Sequence, residues 1–395
     1  MSDIEADAAG LRAGLARSLT GDRPGEGSWR AAVATVPRHR FVPGFYLASG
    51  RVDGRGLPVW EPVTAELDHG RWLAAAYADT TLITQFDGDE ADWKNPAARH
   101  GGAPTSSSTL PSLVVRMWSD ADIEEGHSLL EIGTGTGYST ALACERLGSA
   151  AVTSVEVDGR RLEQAAGALY GLGYTPTLAV ADGLYGYWPE AQFDRIVAAC
   201  SFRAVPPVLP AQTRPGGKIL LTLSGWLHGY ARVLLTVAKD GTAEGPLLSG
   251  TVSFMPARTH AAPEFGNPAH WAAGLPGEGR SAKHSPERIT AATEEAFHLR
   301  FLAQCAVPGA QMTTVGDVVH LADVVTGSAA TLTPCEGGWV VREGGPVGLW
   351  DPVEAVLSSY DAADRPGPET FRLHVHHGGQ HLRHPRMPPL SLPKP

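Results

Sequence analysis

The stretch LLEIGTGTGYSTALACERLG, Leu129 to Gly148, restricts the possible folds more than any other part of the chain. A short apolar run enters three alternate glycines, Gly133, Gly135 and Gly137, and passes directly into a helical pattern. Glycines at a strand-to-helix turn allow left-handed backbone and close approach to a ligand. The alternation continues to about Arg258. AVTSVEVD, TPTLAVADG, FDRIVAACS, KILLTLSG and ARVLLTVAKDG read as strands, GRRLEQAAGALYGLG as a helix, and PPVLPAQTRPGG as a short helix and turn. Strands and helices taken in turn predict an α/β fold with a doubly wound, mostly parallel sheet covered on both faces.

With 395 residues the chain exceeds one ordinary domain, so more than one unit is expected. Residues 5–35 are predicted to be helical, with Leu11, Leu15 and Leu19 spaced by four. VPRHRFVPGF, Val36 to Phe45, is bounded by prolines and reads as a loop or extended turn. Residues 257–285 are rich in Pro, Gly, Ala and His and read as a linker. Beyond them AATEEAFHLRFLAQ reads as a helix, and VVHLADVV, AATLTP, GWVVRE and FRLHVHH as strands. The expected organisation is a helical cap over 1–80, a nucleotide-type domain over 81–258 and a strand-rich α+β unit over 259–395.

Composition removes several function classes. The net charge of −10 argues against nucleic acid as partner. No apolar run is long enough to span a membrane, and the N-terminus lacks a basic region before an apolar core, so neither a membrane segment nor a secretion signal is expected. Cys144, Cys200, Cys305 and Cys335 are far apart, which suits a reducing cytoplasm without disulfides or a zinc finger. In the tail RLHVHHGGQHLRHPR, His374 and His376 share a strand face, and His377 and His381 could flank a turn, but no neighbouring Cys or acid completes a set, so no metal site is expected. The acids of FDGDEAD do not have EF-hand spacing and read as a solvated, mobile lid.

The acids indicate the cofactor. Glu131 lies at the end of the first strand, Glu156 at the end of the second, and Asp182 at the end of the third. A carboxylate beside the turn repels a pyrophosphate and attracts a cation. An acid at the second strand end accepts hydrogen bonds from ribose hydroxyls. The set points to S-adenosyl-L-methionine, which carries a sulfonium and an ammonium and no phosphate.

Several segments then resemble the protein-L-isoaspartate O-methyltransferases. They are VPRHRFVP, Val36 to Pro43; YADTTLITQ, Tyr77 to Gln85; STLPSLVVRM, Ser108 to Met117; and Gly133 to Tyr138, Glu156, Ala181-Asp182-Gly183, Phe193-Asp194, RPGGKILL and VSFMPAR, all in family order over about residues 10–258. The resemblance implies a class I, Rossmann-like S-adenosylmethionine-dependent methyltransferase fold. It implies cofactor contacts from Ser107, Glu131, Gly133, Thr134, Gly135, Gly137, Tyr138, Glu156, Val157, Asp182 and Gly183. It implies catalytic roles for Thr109, which stands where the family has its active-site serine, for Ser108, which also lines the cofactor side, and for Asp79, which would receive the substrate backbone or orient its loop.

Two further departures from the family pattern bear on the substrate. FDGDEADWKNPAARHGGAPT, about 86–105, interrupts the segment after Gln85, and the chain continues past the closing VSFMPAR strand. This plan resembles the variants that accompany ribosomal peptide biosynthesis, those with ATP-grasp cyclases (graspetides) or lanthipeptide synthetases. It implies methylation of an aspartate in a cyclised peptide, followed by collapse of the ester to an aspartimide. The insertion and the C-terminal unit would recognise that peptide, with Trp93 as an aromatic anchor, and the chain would act as a monomer. Ordinary repair of L-isoaspartyl damage is the alternative, and a non-catalytic cofactor- and peptide-binding subunit is the alternative of another class. In any of the enzymatic readings no general base is needed, because a carboxylate with pKa near 4 is already ionised at neutral pH.

Overall fold

The computed structural model describes residues 2–19, 26–189 and 192–394. It divides into two compact units, residues 1–199 with 212–220, and residues 200–211 with 221–395. The division falls within two strands, so the residues from Leu221 to Arg258 group with the C-terminal part of the chain.

The first unit begins with helices α1 (Ser2–Ser18) and α2 (Glu26–Thr35); residues 20–25, in the middle of the predicted helical region, lie outside the described residues. The proline-bounded segment contains a short 3-10 helix, Arg38–Phe41. There follow β1 (Gly44–Val52), β2 (Pro58–Thr64), α3 (His69–Ala76), β3 (Leu82–Phe86), β4 (Arg99–His100) and β5 (Pro104–Ser108). These strands form an antiparallel sheet in the order β4–β2–β1–β3–β5. The helical cap region expected over 1–80 therefore contains two strands as well as its helices. β1 and β2 bury only a few residues each, and β1 carries Gly50 at positive φ, so neither shows clean alternation.

The alternating region forms as expected: α4 (Pro111–Asp120), β6 (Leu129–Ile132), α5 (Tyr138–Leu147), β7 (Val152–Glu156), α6 (Gly159–Tyr170), β8 (Thr177–Val180) and β9 (Phe193–Phe202). β9, β6, β7 and β8 pair in parallel in that order. β6 is buried along its whole length, as a central strand covered on both faces must be. The α6 N-terminus is set by Asp158, whose carboxylate accepts from the Arg160 and Arg161 amides.

The second unit comprises α7 (Val208–Ala211), the end of β10 (Thr213–Ser224), β11 (Tyr230–Val237), β12 (Ala243–Leu248), α8 (Pro268–Ala273), β13 (Arg280–Ser281), α9 (Glu287–Thr290), α10 (Glu294–Ala306), β14 (Gln311–Val315), β15 (Val318–Asp323), β16 (Ser328–Cys335), β17 (Gly338–Gly344), α11 (Trp350–Ala362), β18 (Arg372–His376), β19 (Gly379–His384) and β20 (Met387–Ser391). The expected RPGG turn is instead part of β10. One sheet runs β13–β17–β16–β15–β14, and β12, β18, β19 and β20 pair antiparallel in succession. His374 and His376 share a face, and Glu244 of β12 reaches His374 at 3.2 Å, an acid too remote in sequence to be seen beside the histidines. Among the described residues no helix is long and apolar enough to cross a membrane, and the four cysteines are free.

His298 of α10 packs against Tyr360 and Phe371, with ring centroids 6.0 and 5.2 Å away, and its Nε2 is buried without a hydrogen-bond partner. Burial pulls the imidazole down from 6.5 to about 4. A folded value below the unfolded one contributes stability that is complete above pH 6.5 and is lost as the pH falls towards 4. The loss amounts to roughly 3 kcal/mol once the ring must be charged. Urea unfolding at stepped pH should show it, and His298→Leu should remove that share of the pH dependence. The same acid sensitivity in both proteins would refute the assignment.

Candidate active site

The glycine turn has the backbone its sequence requires. Gly133, Gly135 and Gly137 lie at φ of 96°, 56° and 87°, values that side-chain-bearing residues rarely adopt. A Cβ on Gly137 would also meet Ala165 of α6 at 3.1 Å. The turn is tied to β7: the Gly133 and Thr134 amides donate to the Val155 carbonyl at 2.8 and 3.2 Å, and the buried Thr134 hydroxyl meets Ser154 Oγ at 2.7 Å.

Glu131 departs from the expectation that it faces a cationic ligand. Its side chain is fully buried, and its carboxylate accepts hydrogen bonds from the hydroxyls of Ser139, Thr140 and Ser154. Burial raises its pKa against the lowering effect of those three donors. Glu131 thus joins β6, β7 and the first turn of α5 from inside, which shapes the turn without presenting a charge at its surface. Tyr138 is likewise turned inward, its ring 5.6 Å from the Arg38 guanidinium.

Glu156 is placed differently. It is partly exposed, and its two oxygens accept from the amides of Gly135 at 2.9 Å and Asp158 at 3.1 Å. Val157 beside it is 41% exposed. The Ala181 amide donates to the Glu156 carbonyl at 3.0 Å, bringing Asp182 to the same carboxyl edge. There the Asp182 carboxylate accepts from the Leu184 amide at 2.9 Å. Gly183 fits against Ile132 so closely that a Cβ would lie 2.2 Å from its Cγ2. A turn open to the backbone, a half-exposed carboxylate, an apolar neighbour and a second acid fit an adenosyl group. Glu156, Val157 and Asp182 are the residues that could hold it.

The hydroxyl strand β5 runs against this turn: a Cβ on Gly135 would sit 3.4 Å from the Ser107 carbonyl oxygen. Ser106 and Ser108 are buried, whereas Ser107 and Thr109 are partly exposed, the two-residue period of an extended chain. Ser108 therefore departs from its expected role lining the site. Its Oγ accepts from Arg38 Nε at 3.3 Å inside the protein. Asp79 is exposed, and its Oδ1 accepts from the Ser112 amide at 2.9 Å, holding its turn to the start of α4.

Arg38 is the residue that sequence reasoning missed. It is fully buried, and besides Ser108 Oγ it donates to the carbonyls of Ala76, Ala78, Thr80, Ser108 and Thr109 at 2.9–3.3 Å. One planar, five-donor fork thus fastens the turn that carries Asp79 to the strand end that carries Thr109. Burial pulls its guanidinium down to about 10, which leaves it charged at neutral pH. The available signal was a cation inside an apolar, proline-bounded segment.

In the segment expected to be a solvated lid, Asp87, Asp89 and Asp92 are exposed, whereas Glu90 and Trp93 are partly covered. Trp93 lies tilted against Tyr46 with centroids 5.0 Å apart and covers Gly44, where a Cβ would be 2.2 Å from the indole. It stays partly exposed, packed on Gly44 and Tyr46 of β1, and so does not stand free as an anchor.

The family model for protein-L-isoaspartate(D-aspartate) O-methyltransferase (PCMT) matches residues 80–258. Protein-L-isoaspartate O-methyltransferase 1 of Archaeoglobus fulgidus is 37% identical over 227 residues, which cover 57% of this chain and 82% of that protein. The Anaeromyxobacter dehalogenans protein-L-isoaspartate O-methyltransferase is 34% identical over 188 residues, 46% of this chain and 80% of the relative. A solved protein-L-isoaspartate O-methyltransferase aligns over 95% of this chain and 98% of its own, with TM-score 0.51 and 18% identity, a likeness of fold. With the turn, the acids at the strand ends and the hydroxyl strand in family order, the chain belongs to the protein-L-isoaspartate O-methyltransferase family: it is a protein carboxyl methyltransferase of the class I fold, with S-adenosyl-L-methionine as its cofactor.

Proposed function

We propose that the chain methylates the free carboxylate of L-isoaspartyl residues in damaged proteins and peptides. The observation that supports this reading is the approach of β5 to the glycine turn at Ser107, two residues before the partly exposed Thr109. When bound, S-adenosyl-L-methionine supplies a methyl carbon made electrophilic by its sulfonium. The remaining work falls to positioning. The substrate oxygen must be held about 3 Å from its target, and a hydroxyl such as that of Thr109 can donate to a carboxylate without neutralising it. Glu156 would hold the ribose hydroxyls of the cofactor. Asp79 orients the loop over which the substrate chain passes. The direct test incubates the protein with S-adenosyl-L-methionine and matched isoaspartyl and aspartyl peptides, and measures methyl incorporation. Methylation confined to the isoaspartyl form supports repair; no methylation of it would overturn this reading.

A second reading, methylation of an aspartate in a cyclised ribosomal peptide followed by aspartimide formation, is favoured by the insertion over 86–105. The C-terminal extension does not favour it, since the fold likeness to a solved protein-L-isoaspartate O-methyltransferase covers nearly the whole chain. Mass spectrometry of a cyclic aspartyl peptide separates the readings: a methyl gain followed by net loss of water marks the aspartimide.

The cofactor assignment has its own test. Glu156→Ala should weaken S-adenosyl-L-methionine binding about 10- to 150-fold, the effect of losing a hydrogen bond to a charged group worth about 1.5–3 kcal/mol. Calorimetry showing parental affinity would remove Glu156 from the site.

A further inference from the structure

The insertion carries one acid, Glu90, whose partners lie on α6 and at the end of β3. Glu90 accepts from Arg161 through both oxygens, with Nε at 2.8 Å, and from Gln164 Nε2 at 2.9 Å. Gln85, at the end of β3, donates through one amide nitrogen to Glu90 Oε1 and to Asp158 Oδ2, each at 3.0 Å. The Arg161 and Glu90 side chains are only 5% and 19% exposed. Arg161 is the third residue of α6, where the positive end of the helix dipole disfavours a cation. At that position the buried guanidinium is paired by the carboxylate that the insertion delivers. Asp158, two residues from Glu156 and the cap of the same helix, donates its amide to Glu156 Oε1.

We propose that Glu90 is a positioning residue for cofactor binding: through Arg161 it fixes the first turn of α6 and so the carboxylate of Glu156. The insertion is then a brace that joins the strand pair β3–β5, which leads to Thr109, to the loop of β7 that faces the adenosyl group. The proposal rests on the reading that Glu156 contacts the cofactor. Without Glu90, the uncompensated Arg161 leaves its site towards solvent and takes the Asp158 turn with it. The Glu156 oxygens then lose their fixed direction, while Thr109 and the Arg38 network are untouched. The consequence is weaker cofactor binding at unchanged chemistry.

The test uses the full chain and S-adenosyl-L-methionine. Glu90→Gln should raise the cofactor Kd by calorimetry, and the KM for the cofactor, about tenfold. At saturating cofactor, kcat on the isoaspartyl peptide should stay within about twofold of the parent. The exchange Glu90→Arg with Arg161→Glu restores the pair with opposite polarity and should recover affinity. If Glu90→Gln does not fold, Glu90→Asp keeps the charge but shortens its reach, and it should show the same split between KM and kcat. Parental affinity in Glu90→Gln would overturn the proposal, and so would an equal fall in kcat, which marks general disruption. Failure of the parent chain to bind the cofactor, or parental affinity in Glu156→Ala, would instead count against the cofactor reading itself.

Discussion

Arg38→Met is expected to cost about 4 kcal/mol of stability and to reduce methyl transfer at least about 100-fold in whatever protein remains folded. The substitution keeps most of the buried volume and removes every donor. Five main-chain carbonyls and the Ser108 hydroxyl then lose their shared partner. A buried acceptor left unpaired costs about 1–3 kcal/mol, and because the six relax together the sum falls well short of six such penalties. Against a total stability of about 5–15 kcal/mol the loss is large. Activity falls further than stability, because the carbonyls released belong to Ala76–Thr80 and Ser108–Thr109, the segments that position Asp79 and Thr109. Arg38→Lys supplies one point charge with three donors and cannot span acceptors on both segments, so it should recover part of the stability and little of the activity. Thermal unfolding alongside steady-state rates checks both statements. An Arg38→Lys protein as active as the parent would show that the fork geometry is not required.

The sequence made some of this arrangement legible and concealed the rest for identifiable reasons. The β6–turn–α5 unit and its parallel neighbours could be read because buried strands are short apolar runs and positive φ demands glycine. Glu156 could be placed because an acid at a strand's end projects from the carboxyl edge. Glu131 shares that local pattern, yet its orientation is decided by Ser139, Thr140 and Ser154, hydroxyls whose convergence needs the folded β6–β7–α5 corner. Glu90 and Arg161 lie on separate elements, so each reads alone as a solvated charge, and the insertion reads as a lid. Arg38 was hidden because its acceptors, Ser108 Oγ apart, are main-chain carbonyls, which carry no side-chain signature. β1 and β2 escaped because glycine and proline interrupt them and much of each strand is open to solvent.

The hydroxyl strand yields the other large effect, because its alternation separates catalysis from support. Ser108 is buried against Arg38, and Thr109 is the next residue, facing the accessible side. Thr109→Ala should lower kcat by about 100- to 1,000-fold, the usual consequence of removing one preorganised donor from a reacting oxygen. Melting temperature and cofactor Kd should stay at the parental values, since Arg38 holds the Thr109 main-chain carbonyl and not its side chain. Thr109→Ser keeps the donor and should keep most of the rate. Ser108→Ala should behave in the opposite sense: it removes an acceptor from Arg38 inside the protein, lowers stability by about 1–2 kcal/mol, and slows the reaction only as far as the Arg38 network loosens. Rates and unfolding curves for the three variants, taken together, decide the matter. If Thr109→Ala turns over like the parent while Ser108→Ala is inactive but stably folded, the catalytic hydroxyl is Ser108, and the strand must rotate its inward face towards the substrate when the cofactor binds.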